Sequence, residues 1–401
     1  MVTARPLPDG LVLRTARPAD LDQIGELLER RGEPGDALDH RLVVEDPDEG
    51  WRSSAVVAAG DRVVSTATLL DETLRLGDVV LPAGQVELVA TDEEYEGRGL
   101  VRALMWWAHE ESAGRGHLVQ VMVGIPYFYR QFGYEYAIAQ PSPRRLVRAP
   151  GGGAGDVVRP ATAADVPALA ALQERAQRVA DLAVPHPVAR LRWLVAHTAT
   201  RTLVVEQDGR VVATGRITPG SGLVAEAVAL DAAALGDLLD AVAAQSGSGR
   251  VGLVERPGTL AHEVCAPLME PPTGTPGQYY VRIADAAAVL DALRPVLSAR
   301  LAAAGLERRE VLVSTYRHHY RFPVGPEGLA PAATGGPMQD PVAGGGLGVA
   351  PDWLAPLLFG PWGAEGLARL RPDVTPDGDP ELFAALFPPV RADVLTYYLP
   401  F

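Results

Sequence analysis

The chain has 401 residues, 47% of them apolar and 21% charged, with a formal net charge of −14. That length exceeds one ordinary core and predicts two or three domains of a globular protein, and the acidic balance argues against nucleic acid while favouring a cationic small molecule. All 36 basic residues are arginine and Cys265 is the single cysteine, which excludes a Walker lysine, a Schiff-base lysine and an internal disulfide.

No apolar run approaches the roughly 18 residues of a membrane span, and the opening "MVTARPLPDG" lacks the apolar stretch of a signal peptide. A cytoplasmic protein with no membrane partner is expected. Neither G-x-S-x-G, H-E-x-x-H nor paired C-x-x-C occurs, so no serine-hydrolase elbow and no metal site is expected. Cys265 in "HEVCAPL" reads as a buried, inert thiol rather than a nucleophile.

Along the chain, "RTARPADLDQIGELLER" (14–30) predicts a short strand, an Asp in N-cap position and an amphipathic helix. "DRVVSTATLL" (61–70) and "GQVELVAT" (84–91) predict strands, and "LVRALMWWAHEESAG" (100–114) a helix with Leu100, Leu104 and Trp107 on one side. Between the last two lies "EGRG", a strand-to-helix turn. The tract "APGGGAG" (149–155) has no side chains able to hold a core and reads as a linker. Beyond it the pattern repeats. "RPATAADVPALAALQER" (159–175) aligns with 14–30, sharing Arg14/Arg159, Asp20/Asp165 and Leu27/Leu172, and "GRVVATGRIT" (209–218) echoes 61–70. In the second copy "LVAEAVAL" runs into "DAAALGDLLDAVA" with no glycine-bracketed turn. A third region opens near residue 276 with "QYYVRI" as a strand and a long Ala/Leu helix. The Pro/Gly-rich passage 323–351 reads as a wandering loop, and its "GGGLG" as flexible chain rather than a nucleotide loop. His318 and His319, neighbours on a predicted strand, point to opposite faces and make a poor metal pair.

The "EGRGLV" turn carries the chemistry. Free amides at a helix N-terminus bind phosphate oxygens, and the two glycines admit a ligand to the backbone, so a pyrophosphate is the expected occupant.

This stretch, with "HLVQVMVGIPYFYRQFGYEYAI" (117–138) after it, resembles the GCN5-related N-acetyltransferase (GNAT) superfamily. The whole layout resembles the Eis (enhanced intracellular survival) family. The fold class so implied is α/β (α+β): a GNAT lobe over 1–149, a degenerate GNAT-like lobe over 150–274 and a sterol-carrier-protein-like α+β domain over 275–401, with mixed sheets flanked by helices. The resemblance implies an acetyl-CoA-dependent N-acetyltransferase acting on a primary amine of aminoglycoside, polyamine or lysine type. It further implies assembly as a homo-oligomer, a hexamer in such relatives.

Carried over by position, Val89, Ala90 and Thr91 match the strand that meets the pantetheine arm, and Gly97, Arg98, Gly99, Leu100 and Val101 match the pyrophosphate cradle. Glu96 stands where such proteins usually carry Arg or Gln, and with Glu93 and Glu94 it is expected to face solvent; Arg98 and Arg102 are the candidate counter-charges. Tyr129 matches the tyrosine that protonates the leaving thiolate, a task suited to a phenol with pKa of about 10. For the general base the C-terminal carboxylate of Phe401 is the first candidate and Glu87 its rival, with Leu88 beside it toward the acceptor. The alternative, favoured by Glu96, is a binding protein on a degenerate acetyltransferase pair with an apolar third domain.

Overall fold

Alternating apolar residues on either side of the Gly60 and Gly77 turns close a three-strand meander, and the first lobe is built around it. The computed structural model describes residues 4–140, 142–152, 155–273 and 277–396. Strand β1 (Leu11–Thr15) precedes helices α1 (Leu21–Arg31) and α2 (Asp36–Glu45), then come strands β2 (Ser54–Ala59), β3 (Arg62–Leu76) and β4 (Val79–Thr91). Helix α3 (Leu100–Gly114) leads to β5 (Val119–Met122), and β6 (Glu135–Ala139) follows a short 3-10 turn. Successive β2 residues face opposite sides: Val56 packs with Ile24, Leu27 and Leu28 of α1, while Ala55 and Val57 pack with Leu104, Met105 and Trp107 of α3. Each fully buried α1 side chain stabilises this layer by roughly 1.5–3 kcal/mol.

The first sheet runs Arg5–Pro6, β1, β2, β3, β4, β5, Gln278–Ile283, β6. The strand Gln278–Ile283, which the sequence pattern assigns to the third region, lies antiparallel between β5 and β6 and joins the first lobe. The reason is local to the sheet: β5 and β6 do not pair with each other, and Tyr279, Tyr280 and Val281 fill the gap with no more than 1% exposure each.

The second sheet repeats the plan with strands Val157–Pro160, Arg201–Gln207, Arg210–Ile217, Leu223–Val224 and Gly252–Val254, and borrows Pro143–Arg145 from before the linker as its edge. In both lobes one ion pair ties the entry strand to the first helix, Arg14 to Asp20 at 2.6 Å and Arg159 to Asp165 at 2.8 Å. Asp20 and Asp165 hold the N-cap positions of their helices, but their side chains make no cap hydrogen bond to them. Asp20 accepts the Arg17 amide and Asp165 the Thr162 amide, both at 2.7 Å, at the third position of a preceding 3-10 turn. Nor does the glycine tract hang free: the Gly152 N–H donates to Asp240 at 2.8 Å, and a Cβ on Gly236 would lie 2.2 Å from the Gly151 carbonyl oxygen. Having no side chains, Gly151 and Gly152 lie flush against helix Ala232–Gln245.

In the third region Glu310–Ser314 and His319–Gly325 form a hairpin, so His318 falls in the turn and His319 Nδ1 meets the Gly336 carbonyl at 2.8 Å. The Ala/Leu helix is two helices, Ala286–Ala292 and Arg294–Ala303, broken where Pro295 opens the second. The Pro/Gly passage is not a wandering loop, for it contributes strands Gly328–Leu329, Ala333–Gly335 and Leu347–Val349. Its "GGGLG" is held rather than flexible: a Cβ on Gly346 would meet Leu312 at 2.6 Å, and one on Gly348 would meet Thr375 and Tyr316 at 2.5 and 2.6 Å. Strand Ala392–Val394 then returns to lie parallel to Leu182–Val184, which also pairs with the end of β3.

Candidate active site

Strand β4 is regular against β3 until Glu87, which faces Thr68; the next register pair is Ala90 with Thr66. Leu88 and Val89 therefore oppose the single residue Ala67, and Leu88 takes φ of 53°, a left-handed conformation that costs a β-carbon residue on the order of 1–3 kcal/mol. On its other edge β4 pairs with β5 only over residues 83–85. Past Gln85 the two parallel strands separate, and 86–91 have no strand partner on that side among the described residues.

The segment after the splay turns back on itself. Gly97 and Gly99 have φ of 71° and 77°, and Gly99 is the N-cap of α3 with no side-chain cap. Among the described residues the N–H groups of 97–102 make no hydrogen bond, and a Cβ on either glycine would meet nothing within 4 Å. Six consecutive free donors at the positive end of a helix suit a pyrophosphate, and the bare glycines leave room for it.

Three of the acids nearby, Asp92, Glu94 and Glu96, are paired with arginines. Glu96 pairs with Arg31 at the end of α1, Glu94 with Arg62 at 3.1 Å, and Asp92 with Arg62 at 2.8 Å. Glu94 and Glu96 keep 71% and 52% of their side chains exposed. Arg98 lies over the Tyr95 ring at 4.7 Å, and Arg102 over Phe132 at 5.9 Å. Arg62, Arg31 and, at 3.4 Å from Asp92, Arg30 are thus the cations that neutralise the acidic rim, a role the linear pattern does not reveal.

On the facing side Tyr129 sits in the 3-10 turn Phe128–Phe132, buried to 7% exposure among Phe128, Tyr134 and Tyr280. Gly124 lets the ring in, since a Cβ there would fall 2.4 Å from it. Burial, and then the nearby Glu87 charge, push the Tyr129 pKa up to about 12. The phenol is therefore a proton carrier at neutral pH. Glu87 is 4% exposed and accepts a 2.5 Å hydrogen bond from Gln85 Nε2. Leu88, by contrast, turns its side chain into the α1 core rather than toward the splay.

Val89 lies in the two-for-one bulge; Ala90 and Thr91 are back in register with β3, and the Thr91 carbonyl accepts from Arg31 Nε at 3.2 Å. The position of Phe401 lies outside the described residues. Cys265 is fully buried, and burial pushes its thiol up to about 11. Among the described residues no group of acids, histidines and cysteine has the makings of a metal site, and no helix is long and apolar enough to cross a membrane. The second lobe lacks the open cradle: Asp231 caps helix Ala232–Gln245 with its own carboxylate, 2.9 Å from the Ala234 amide.

Residues 13–137 match the sequence model of the acetyltransferase (GNAT) domain. No curated protein matches the chain. Among solved structures, a GCN5-related N-acetyltransferase from Kribbella flavida superposes with a TM-score of 0.67 at 20% identity, over 97% of this chain and 100% of that one. One from Anabaena variabilis gives 0.69 at 15% identity over 96% and 99%, and Eis1 from Mycobacterium abscessus gives 0.62 at 18% over 96% and 100%. At these identities the likeness is one of fold, and it extends through all three regions. The bulged strand, the splay and the glycine turn of the first lobe all lie within the stretch that matches the GNAT acetyltransferase domain model.

Proposed function

We propose that the protein is an acetyl-CoA-dependent N-acetyltransferase whose first lobe acetylates a primary amine. The observation that carries this is the run of unpartnered amides at 97–102 directly beyond the splay of β4 and β5. Acetyl-CoA, when bound, supplies an activated acetyl group; residues 97–102 would hold its diphosphate and the unpaired edge of 86–91 its pantetheine arm. Glu87, buried beside the bulge, takes the proton that the acceptor amine must lose. Tyr129 holds its proton at the hydroxyl until a thiolate needs it.

An acceptor that carries positive charge fits a chain of net charge −14. An aminoglycoside-like amine, a polyamine and a lysine side chain all have that chemistry. The second lobe serves as a non-catalytic copy, its helix N-terminus already capped by Asp231. Glu96 is the residue that favours a binding-only protein, and its pairing with Arg31 removes the charge from that argument.

The test is calorimetric titration with acetyl-CoA followed by a panel of amines read through released thiol. Saturable binding with thiol release for a cationic amine is expected. Binding without release for any amine would leave a ligand-binding protein, and no binding would overturn the reading altogether.

A further inference from the structure

The strand Gln278–Ile283 does more than fill the first sheet. Its neighbouring tyrosines point to opposite faces, as strand geometry requires. Tyr280 reaches the side of the proposed acid, its ring 6.0 Å from that of Tyr129, and stacks on Tyr136 at 4.1 Å. Tyr279 reaches the other side. Its hydroxyl donates to Gln85 Oε1 at 2.6 Å, and Gln85 Nε2 donates to Glu87 Oε1 at 2.5 Å. All three side chains are buried, at 0%, 2% and 4% exposure.

We infer that Tyr279 and Gln85 are positioning residues that orient the Glu87 carboxylate for the acceptor amine, so that a strand drawn from nearly 200 residues away in the sequence (|i−j| of 194 from Gln85) completes the catalytic lobe. The inference rests on the acetyltransferase reading and on Glu87 as the proton acceptor. Its logic is one of donors and acceptors. A carboxamide has one oxygen and one NH₂, so a phenol that donates to the oxygen turns the NH₂ toward the carboxylate. The reverse orientation would set two acceptors, Gln85 Oε1 and the Glu87 carboxylate, against each other.

Tyr279 remains a donor across the working range because burial, then Glu72 and Glu87, raise its phenol well above the ordinary value. Other charged groups face this chain of bonds: Glu72 and Arg190 near Tyr279, paired at 2.9 Å, and the Tyr129 phenol near Glu87. The Gln85 amide bond favours the charged form of Glu87, so removing it moves the carboxylate toward protonation.

The experiment uses the full chain and the amine that the wild type acetylates. For Tyr279→Phe, kcat is expected to fall on the order of 10- to 100-fold, as misplacement of a reacting group does. KM for acetyl-CoA should stay put, and the acid limb of the kcat/KM profile should move to higher pH. Gln85→Met should do the same, and the double variant should be no worse than Gln85→Met alone, since both break one relay. If Tyr279→Phe fails to fold by circular dichroism, Gln85→Met carries the same expectations. Glu87→Gln is the reference: an active Glu87→Gln enzyme overturns Glu87 as the proton acceptor, and the inference with it. An inactive Glu87→Gln beside a Tyr279→Phe and a Gln85→Met of wild-type kcat and acid limb overturns the positioning role alone.

Discussion

Replacing Tyr129 by Phe isolates the proposed acid from nearly everything else in the site. The ring lies among Phe128, Phe132, Tyr134 and Tyr280, with centroids 5.1–6.4 Å away, and those contacts survive the substitution. The substitution removes a single hydroxyl and keeps the packed ring, so folding at neutral pH should change by no more than about 1 kcal/mol. The chemical step should suffer far more, because a positioned general acid contributes roughly 10²- to 10⁴-fold. A second signature follows from burial. The folded-state pKa lies at about 12 against an ordinary 10.0. A raised pKa gives stability that is fully present below the unfolded value and is lost as pH rises through the folded one. At 1.36 kcal/mol per unit, Tyr129 accounts for a loss of about 3 kcal/mol across that window. The assay pairs single-turnover acetyl transfer with urea melts at neutral and alkaline pH. Expected are a large drop in rate, an unchanged KM for acetyl-CoA and a smaller alkaline loss of stability in Tyr129→Phe. A rate within twofold of the wild type would refute the assignment of Tyr129 as acid.

Three further outcomes follow from the same geometry. Gly99→Ala places a β-carbon at φ of 77° where nothing lies within 4 Å, so the strain of about 1 kcal/mol should lower Tm by only a few degrees. Acetyl-CoA affinity should fall tenfold or more by calorimetry, since the methyl occupies the approach to the amides. Arg31→Ala frees Glu96 beside the cradle; the dissociation constant for acetyl-CoA should rise several-fold at low salt, less at high salt, and recover in Arg31→Ala/Glu96→Ala. His40 is fully buried against Ser54 Oγ at 2.9 Å, and burial, then Arg41, lowers its pKa from 6.5 to about 4. A depressed histidine gives stability that is present above the unfolded value and lost as pH falls through the folded one, so His40→Gln should flatten the melting curve's dependence on pH between about 6.5 and 4.

What the linear pattern reveals is what neighbouring residues decide. The strand, glycine turn and helix from 84 to 114 are legible because alternation, two left-handed glycines and an amphipathic run follow one another without a break. The internal repeat is legible for the same reason, through Arg14 with Asp20 and Arg159 with Asp165, each pair six residues apart. Contacts made across long separations leave no such trace. "QYYVRI" reads as a strand, but nothing in it says that its partners are Val119–Met122 and Glu135–Ala139. Nor does the string of glycines at 344–348 announce close packing against Leu312 and Thr375, since a residue with no side chain serves a loop and a tight contact equally well. Glu96 shows the limit most plainly: its meaning depends on Arg31, 65 residues earlier, at the end of a helix that reads as amphipathic but not as a counter-charge.

The central claim is that the free amides of 97–102 receive the diphosphate of coenzyme A. A crystal structure of the protein with coenzyme A tests it most directly. The account predicts diphosphate oxygens within hydrogen-bond distance of those N–H groups, the pantetheine arm between β4 and β5, and Glu96 still on Arg31. A nucleotide seated anywhere else, or a cradle filled by the chain's own carboxylates, would contradict it.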